Sequence, residues 1–534
     1  GLDSLANVDS LLIVWPDQRF ELLKNIPSNK ALELKQADAK DSFNYAQFFP
    51  PQEPLVKNIL NDIRLGWSHR ENEFDEFNIQ YLLPHKESTR GPKLAVADVN
   101  GDGLDDFYAC GAMAQPGALF LQKQGGGFQR ADTAVFNVAA AGEEVDAVFF
   151  DADGNGTKDL YIVAGGTEPI AINALREDRL YLNDGKGHFT NATNALPQIY
   201  DTKSCVTVAD VDKDGDSDLF VGTLTGKVYG QPLASRLLIN DGKGHFSQSP
   251  QSALFNELGM VTTASFADLN NDGWPDLIVT GEFMPVKIFM NQHGSFTAAA
   301  IPNSTGLWQT LKVADINGDG LPDLLAGNWG HNSKLWAGKN GPVKMYVKDF
   351  DMNGSVEQIL CYTVDGKQYT FLAKDELEKA LPVLKKAYLR YEEVAGKDVQ
   401  YMFYDLFKDY RAFTAETLSS TCFLNDGKGG FKQVTLPDAL QVAPIFSFTD
   451  AEALAGGWIA AGNFYGVMPY EGRYDALEPT SFSYNSMTNQ FVTQLLSPAL
   501  RGEVRDTKWL GTKTGKLLLL ARNNDSIIFC EPKK

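Results

Sequence analysis

No run of 18 apolar residues occurs in this chain of 534, so no segment reads as a membrane-spanning helix. Histidine is scarce, with 6 copies, and none falls in the H-E-x-x-H spacing of a helical zinc site. Neither a G-x-S-x-G nucleophile turn nor a phosphate loop is present, and Gly125-Gly126-Gly127 reads as a tight turn. Cys110, Cys205, Cys361, Cys422 and Cys530 sit in strand-like runs without a C-x-x-C pair. They read as small buried hydrophobes. Bases are outnumbered 48 to 68, a net charge of −20, which excludes the basic face that nucleic acid requires. A chain of 534 residues is too long for one ordinary core, so repeats or several domains are expected. No secretory leader stands at Gly1. The chain opens in strand-like sequence and reads as a fragment of a longer precursor, with Gly1 a cloning remnant.

What is present is one acidic loop written six times. Its copies place side-chain oxygens at Asp98, Asn100, Asp102 and Asp106; at Asp151, Asp153, Asn155 and Asp159; and at Asp210, Asp212, Asp214 and Asp218. Then come Asp268, Asn270, Asp272 and Asp276; Asp315, Asn317, Asp319 and Asp323; and a variant with Asp349, Asp351, Asn353 and Glu357. Calcium is a hard cation that takes six to eight oxygens, and the spacing D-x-[DN]-x-[DN]-G-x-x-[DE] offers them within nine residues. Glycine at position 6 permits the positive φ that folds the loop round an ion. One copy would be an ordinary turn; six in register imply Ca2+ at five to six sites. The loops hold 21 of the acidic residues, so most of the net charge is accounted for by ion sites. They are not EF-hands, since apolar strand-like runs such as Leu94–Ala97 and Phe107–Cys110 flank them instead of helices.

The loops also set a rhythm. Several are followed by a strand ending at glycine, an irregular link, and a hairpin of the form Leu180–Phe189, Leu237–Phe246 or Phe423–Phe431, turning on Asn-Asp-Gly. Each repeat is therefore a four-stranded antiparallel unit, and radial repetition of such units is a β-propeller. The fold class is all-β. Units beginning near Leu94, Val145, Val206, Val261, Thr310, Val356, Pro444 and Val504 give eight blades, with Asn78–Leu83 closing the last. Merging two units around Trp336–Tyr362 gives seven. Residues 374–411 carry leucines at helical spacing and form an insertion in the sixth unit whose aromatics pack on the propeller. The organisation expected is a small β segment at 1–42 with strands at Ser10–Val14, Phe20–Leu23 and Ala31–Leu34. A linker with a short helix follows at 43–76, and the propeller spans 77–534.

The loops, with the following D-[LF]-x-x-x-G and the L-N-D-G-K-G-x-F hairpin, resemble FG-GAP/VCBS repeats, found in integrin α-subunits and bacterial surface proteins. The stretch Val8 to Asn29, including Trp15-Pro16-Asp17, resembles the end of an ASPIC/UnbV domain. Together they resemble long surface lipoproteins of Bacteroidetes-like bacteria. The resemblance implies a calcium-stabilised extracellular, cell-surface or periplasmic scaffold for binding or adhesion. It places any lipid anchor before residue 1.

For a ligand site the sequence offers the ends of second strands, which converge on one face of a propeller. Asn328, Trp329 and His331, Asn463 and Tyr465, Arg473 and Tyr474, and Arg505 are the candidates for a glycan or protein ligand. A non-catalytic binding scaffold is the first reading. The alternative is a polysaccharide lyase or hydrolase that would use Arg473, Tyr474 and Arg505. His69-Arg70-Glu71-Asn72-Glu73 reads as a solvated charged loop.

Overall fold

Each acidic loop turns one strand back onto the next in the same register. The ninth loop residue opens the second strand and faces the last residue of the first: Ala97 with Asp106, Phe150 with Asp159, Ala209 with Asp218, Ala267 with Asp276, Ala314 with Asp323, and Lys348 with Glu357. The computed structural model describes residues 5–533 apart from 49, 51–52, 61, 132–133, 138–141, 170–171, 232, 337–340, 455 and 469–471. Two compact units are present, Gly1–Glu53 and Pro54–Lys534.

Among the described residues of the larger unit, seven antiparallel sheets follow one another as blades, each with four strands in order and the fourth with a further short strand, Gly306–Leu307, on its second. Their first strands are Leu94–Ala97, Glu143–Phe150, Thr202–Ala209, Met260–Ala267, Thr310–Ala314, Ile445–Asp450 and Val504–Thr512. Each packs against the next, and the last returns to the first, so the circuit closes at seven blades. The count of eight fails because the unit near Val356 is not a blade. Its strands, Val343–Lys348, Glu357–Val364, Lys367–Thr370 and Arg411–Ala415, form a separate sheet inserted between the second and third strands of blade 5. Those two strands, Asp323–Gly327 and Thr421–Asn425, still pair directly across the whole insertion. Blade 7 takes its outer strand from Val56–Asn58, which pairs with Ile528–Pro532. The helix expected in this part of the linker is therefore a strand, and the stretch Asn78–Leu83, expected to close the ring, is irregular chain after the 3-10 turn Glu76–Asn78.

Second strands such as Asp159–Gly165 and Asp218–Thr225 are buried at every residue. Blades cover both of their faces, which is why they read as continuous apolar runs instead of alternating ones. The inserted sheet carries the helices Lys374–Ala380, Pro382–Ala387 and Val399–Phe403. Leu377, Leu381, Leu384 and Phe403 are buried in one core with Ile359, Leu360 and Trp329. Burying each leucine contributes about 1.5–3 kcal/mol. Phe407 and Tyr410 pack edge-on against Tyr346 of the inserted sheet itself and not on a blade, whereas Tyr391, Tyr401 and Tyr404 are exposed.

The smaller unit is a three-stranded antiparallel sheet of Asn7–Val14, Arg19–Pro27 and Asp41–Ser42. Its third strand is the last of these pieces, not Ala31–Leu34. No described helix is long and apolar enough to cross a membrane.

Candidate functional site

In the first acidic loop Asp98 Oδ1 accepts the N–H of Gly101 at 2.8 Å, and Oδ2 that of Gly103 at 2.8 Å. Asn100 and Asp102 accept the N–H groups two residues on. Gly103, Gly156 and Gly320 have φ of 82°, 83° and 85°, so position 6 needs glycine for its left-handed backbone. The ninth residue is also a pin. Asp106 Oδ2 accepts from Val99 N–H at 3.2 Å, and its Oδ1 from Gln122 N–H on the third strand at 2.7 Å. Asp159, Asp218, Asp276 and Asp323 repeat both contacts.

The donor sets fit a cation. Three carboxylates lie with ligand atoms within 4.8 Å of one another in the loops of Asp151, Asp153 and Asp159; Asp210, Asp212 and Asp218; and Asp349, Asp351 and Glu357. Asp210 Oδ1 and Asp351 Oδ1 are buried without a partner. The other three loops carry asparagine at the third position, an oxygen donor of lower charge. Burial, with neighbouring loop carboxylates adding to it, pushes Asp106, Asp159 and Asp218 up to about 6 and Glu357 up to about 7.

The hairpin asparagine has a task that the turn signal hid. Asn240 Nδ2 donates to Ala152 O in the preceding blade's loop at 2.9 Å and to Ser217 O in its own at 3.2 Å. Asn183, Asn291 and Asn425 make the same bridge, and Gln122 joins blade 1 to Gly511 of blade 7. Each latch thus ties adjacent blades through their loops. Asn240→Ala should lower stability by about 1–3 kcal/mol, because two carbonyls lose a donor. A guanidinium midpoint equal to wild type would show that the latch contributes nothing.

The opposite ends of the blades, where second strands run out, do converge, but around the chain itself. Residues 67–93 cross that face between the closing strand and blade 1. His85 stacks on Trp329, with ring centroids 4.7 Å apart, and meets Tyr229 and Phe464 edge-on. Its Nδ1 lies 2.8 Å from Glu87 and its Nε2 3.3 Å from Glu282. Arg90 pairs with both carboxylates at 2.7 Å, and Tyr229 O–H also donates to Glu282. Two carboxylates therefore face two cations, and this cluster is neutral without a metal. Burial alone would lower His85, but Glu282 and Glu87 raise it to about 9.

His69 and Glu71 are not a solvated loop. The His69 side chain is 0% and that of Glu71 9% exposed, because the segment is packed beneath blades 7 and 2. His69 Nδ1 accepts Asn524 N–H at 3.1 Å. Burial and the Arg505 charge lower His69 to about 3, so the ring is neutral. Burial and neighbouring carboxylates push Glu71 and Glu168 up to about 7.

Of the residues picked from sequence, four are internal. Asn328 accepts the N–H groups of Leu307 and Trp329 and donates to Thr417 O. Asn463 clamps Leu477 and Gly502. Trp329 is the buried floor under His85 and Tyr474. Arg505 is wholly buried, stacked on Phe446 and Phe464 and paired with Glu503 at 2.5 Å. His331 bonds Ser419 Oγ at 2.7 Å and stacks on Trp336. Tyr474 packs on Trp329, so Arg473, Tyr474 and Arg505 do not meet at one open site. Tyr465 and Arg473 do: the guanidinium lies 4.6 Å over the tyrosine ring and pairs with Asp475 at 2.9 Å. Tyr465 lines a cleft of about 710 Å³ with Glu71, Glu503, Arg501, Arg522 and Asn523. Sequence alone missed Glu71, Arg501 and Arg522 because their neighbours come from distant blades.

This architecture is a β-propeller whose blades are marked by acidic loops on one face and joined by asparagine latches. The FG-GAP-like repeat model matches residues 98–162, 167–221, 228–279 and 268–326, and the ASPIC and UnbV model matches 1–41. The chain therefore carries FG-GAP-like repeats behind an ASPIC/UnbV segment. No curated protein matches it in sequence. Among solved structures it is similar to an Agrocybe aegerita lectin that recognises non-reducing terminal N-acetylglucosamine, at 14% identity and a TM-score of 0.30, over 79% of this chain and 94% of that one. It is also similar to the Dos1 propeller, at 10% identity and a TM-score of 0.35, over 84% and 96% of the two chains. Sqt1 of Saccharomyces cerevisiae matches at 10% identity and a TM-score of 0.39, over 88% and 100%.

Proposed function

We propose that this chain is a calcium-stabilised extracellular binding scaffold that takes a glycan or protein ligand and performs no chemistry. The observation that carries the reading is the cleft at Tyr465, open on the face where the blade ends converge. An aromatic ring, amide groups and arginines line it, the kind of surface that suits a sugar or a peptide. Most of its charged groups are committed to one another, Arg522 with Asp525 at 2.6 Å, Glu503 with Arg505, and Arg501 with Glu478 at 3.4 Å, while Glu71 pairs with no lysine or arginine among the described residues. Such pairs orient a ligand but leave no acid and base poised across a scissile bond.

A glycan array and a peptide library, followed by titration of the hits, test this. Replacing Tyr465 and Arg473 together by alanine should weaken binding by about 2 kcal/mol, roughly thirtyfold in Kd. The melting temperature should move by no more than about 2 °C, since Arg473 and Asp475 lie at the surface. Polysaccharide cleavage that vanishes in Arg473→Ala would overturn the non-catalytic reading.

A further inference from the structure

A second open surface lies apart from the Tyr465 cleft, where residues 62–70 run past blades 7 and 1. Two adjoining grooves, of about 450 and 360 Å³, meet there along Gly66, Trp67 and Ser68. Arg64 lines the larger, and Arg70 and Arg130 line the smaller. No acidic residue lines either groove among the described residues, in a chain whose acids outnumber its bases 68 to 48. The Tyr465 cleft, by contrast, sets Glu71, Asp75, Glu503 and Asp525 among its bases. Arg64, Arg70 and Arg130 are exposed, and their guanidinium groups make no hydrogen bond or ion pair with another described residue. Exposed arginines elsewhere do find a carboxylate: Arg390 has Glu392, Arg473 has Asp475 and Arg501 has Glu478. Positive charge is therefore gathered and left open at this one surface.

The ridge between the grooves is held from both sides. Gln115 of blade 1 accepts Arg70 N–H and donates to Ser68 O, both at 2.8 Å. Ala114 beside it has φ of 65°, a left-handed backbone that alanine rarely takes. On the blade 7 side, His69 N–H donates to Asp525 O at 3.1 Å, and His69 Nδ1 accepts Asn524 N–H at 3.1 Å. Trp67 lines both grooves and meets His69 and Phe120 edge-on, with ring centroids 6.3 Å apart in each pair. A ligand that lies here meets an indole and a backbone already fixed, so little ordering entropy is lost when it binds.

We propose that these grooves bind an acidic polysaccharide, a chain of uronic-acid sugars whose carboxylates are taken by Arg64, Arg70 and Arg130 while Trp67 carries a sugar face between them. A guanidinium presents a planar fork of donors that matches a carboxylate. Grooves of this size on both sides of one indole exceed what a lone inorganic anion fills and suit sugars in series. The apolar face of a sugar ring packs on an indole. An acidic peptide also brings carboxylates, but its backbone N–H and C=O groups need partners of their own. The backbone of the ridge offers few, because Ser68 O and the N–H groups of His69 and Arg70 are engaged within the protein. The net charge of −20 does not keep the ligand away, since physiological salt screens distant charge beyond about 8 Å and leaves the contact arginines to decide. This site is separate from the Tyr465 cleft and stands whether or not that cleft takes a ligand.

Calorimetric titration of the full chain with galacturonate, mannuronate and glucuronate oligosaccharides tests this, each beside its methyl ester, which keeps the sugar and removes the charge. At least one free acid should bind with Kd of about 100 µM or tighter, and its ester about tenfold more weakly. Arg70→Gln with Arg130→Gln should weaken binding of that acid about thirtyfold and flatten its dependence on salt. The melting temperature of this variant should stay within about 2 °C of wild type, since neither side chain has a partner to lose. The proposal is overturned if no free acid binds, or if the esters bind as tightly as the acids, and neither outcome needs a variant to fold. It is equally overturned if the double variant binds as wild type does, for the sugar would then sit elsewhere. An oligoglutamate that binds more tightly than every uronate would also overturn it, since the surface would then serve an acidic peptide.

Discussion

Stripping divalent cations with EDTA should lower the melting temperature by about 10 °C or more, and calcium but not magnesium should restore it. The acidic loops join first to second strands in five of the seven blades, and the first four of these loops meet the next blade through an asparagine latch. Without a cation, loops such as Asp210, Asp212 and Asp218 hold three carboxylates within 4.8 Å. Their repulsion opposes the backbone hydrogen bonds that close the loop. At free calcium tenfold above Kd, each filled site adds about 1.4 kcal/mol, so five add about 7 kcal/mol. Magnesium should not substitute, because it demands rigid octahedral geometry with several waters. The calcium effect should also fade below pH 6, where protons compete for Asp106, Asp159 and Asp218, which burial pushes up to about 6. A melting temperature that ignores EDTA at pH 7.5 would end the calcium reading.

The ring was legible in the sequence wherever local signals repeat. The acidic loop, the strand after it and the Asn-Asp-Gly hairpin each lie within ten or so residues, and blades 2 and 3 follow from them. The count went astray where a repeat signal sits off the ring: Asp349–Glu357 keeps the loop spacing inside an inserted sheet, so spacing alone scored it as a blade. The closing strand Val56–Asn58 was hidden because three residues carry too little periodicity, and its partner lies at the far end of the chain. The axial face was half legible. Glycine followed by Glu282, Asn328-Trp329 or Asn463-Phe464 does mark second strands that converge. Nothing local showed that His85, Glu87 and Arg90 fill the middle, since their partners come from blades 4, 5 and 6. His69-Arg-Glu-Asn-Glu looked solvated because charge in a loop usually is; burial here comes from contacts with distant blades.

Replacing Glu282 by leucine should destabilise the protein by about 3–5 kcal/mol, the cost of leaving buried cations without their partner. Glu282 holds His85, Arg90, Tyr229 and Gln309 together, on chain that comes from the crossing segment and three blades. Burial opposes its ionisation, yet His85 and Arg90 hold its carboxyl well below the usual range. Glu282→Gln keeps the shape and should cost less than the leucine variant. The two are separated from a simple packing defect by pH. His85 is raised from 6.5 to about 9, so the folded protein holds its proton more tightly than the unfolded chain does. That stabilisation is complete below pH 6.5 and is lost as pH rises through 9, a difference of about 3 kcal/mol. Denaturant midpoints of wild type measured in EDTA should therefore fall between pH 6.5 and 9. Glu71 and Glu168, raised to about 7, act earlier: their burial favours the folded state below pH 4.5 and ceases to do so by about pH 7. Glu282→Gln should flatten the upper window and leave the lower one unchanged. A variant that keeps the full decline above pH 7 would remove His85 and Glu282 from the account of what locks the axial face.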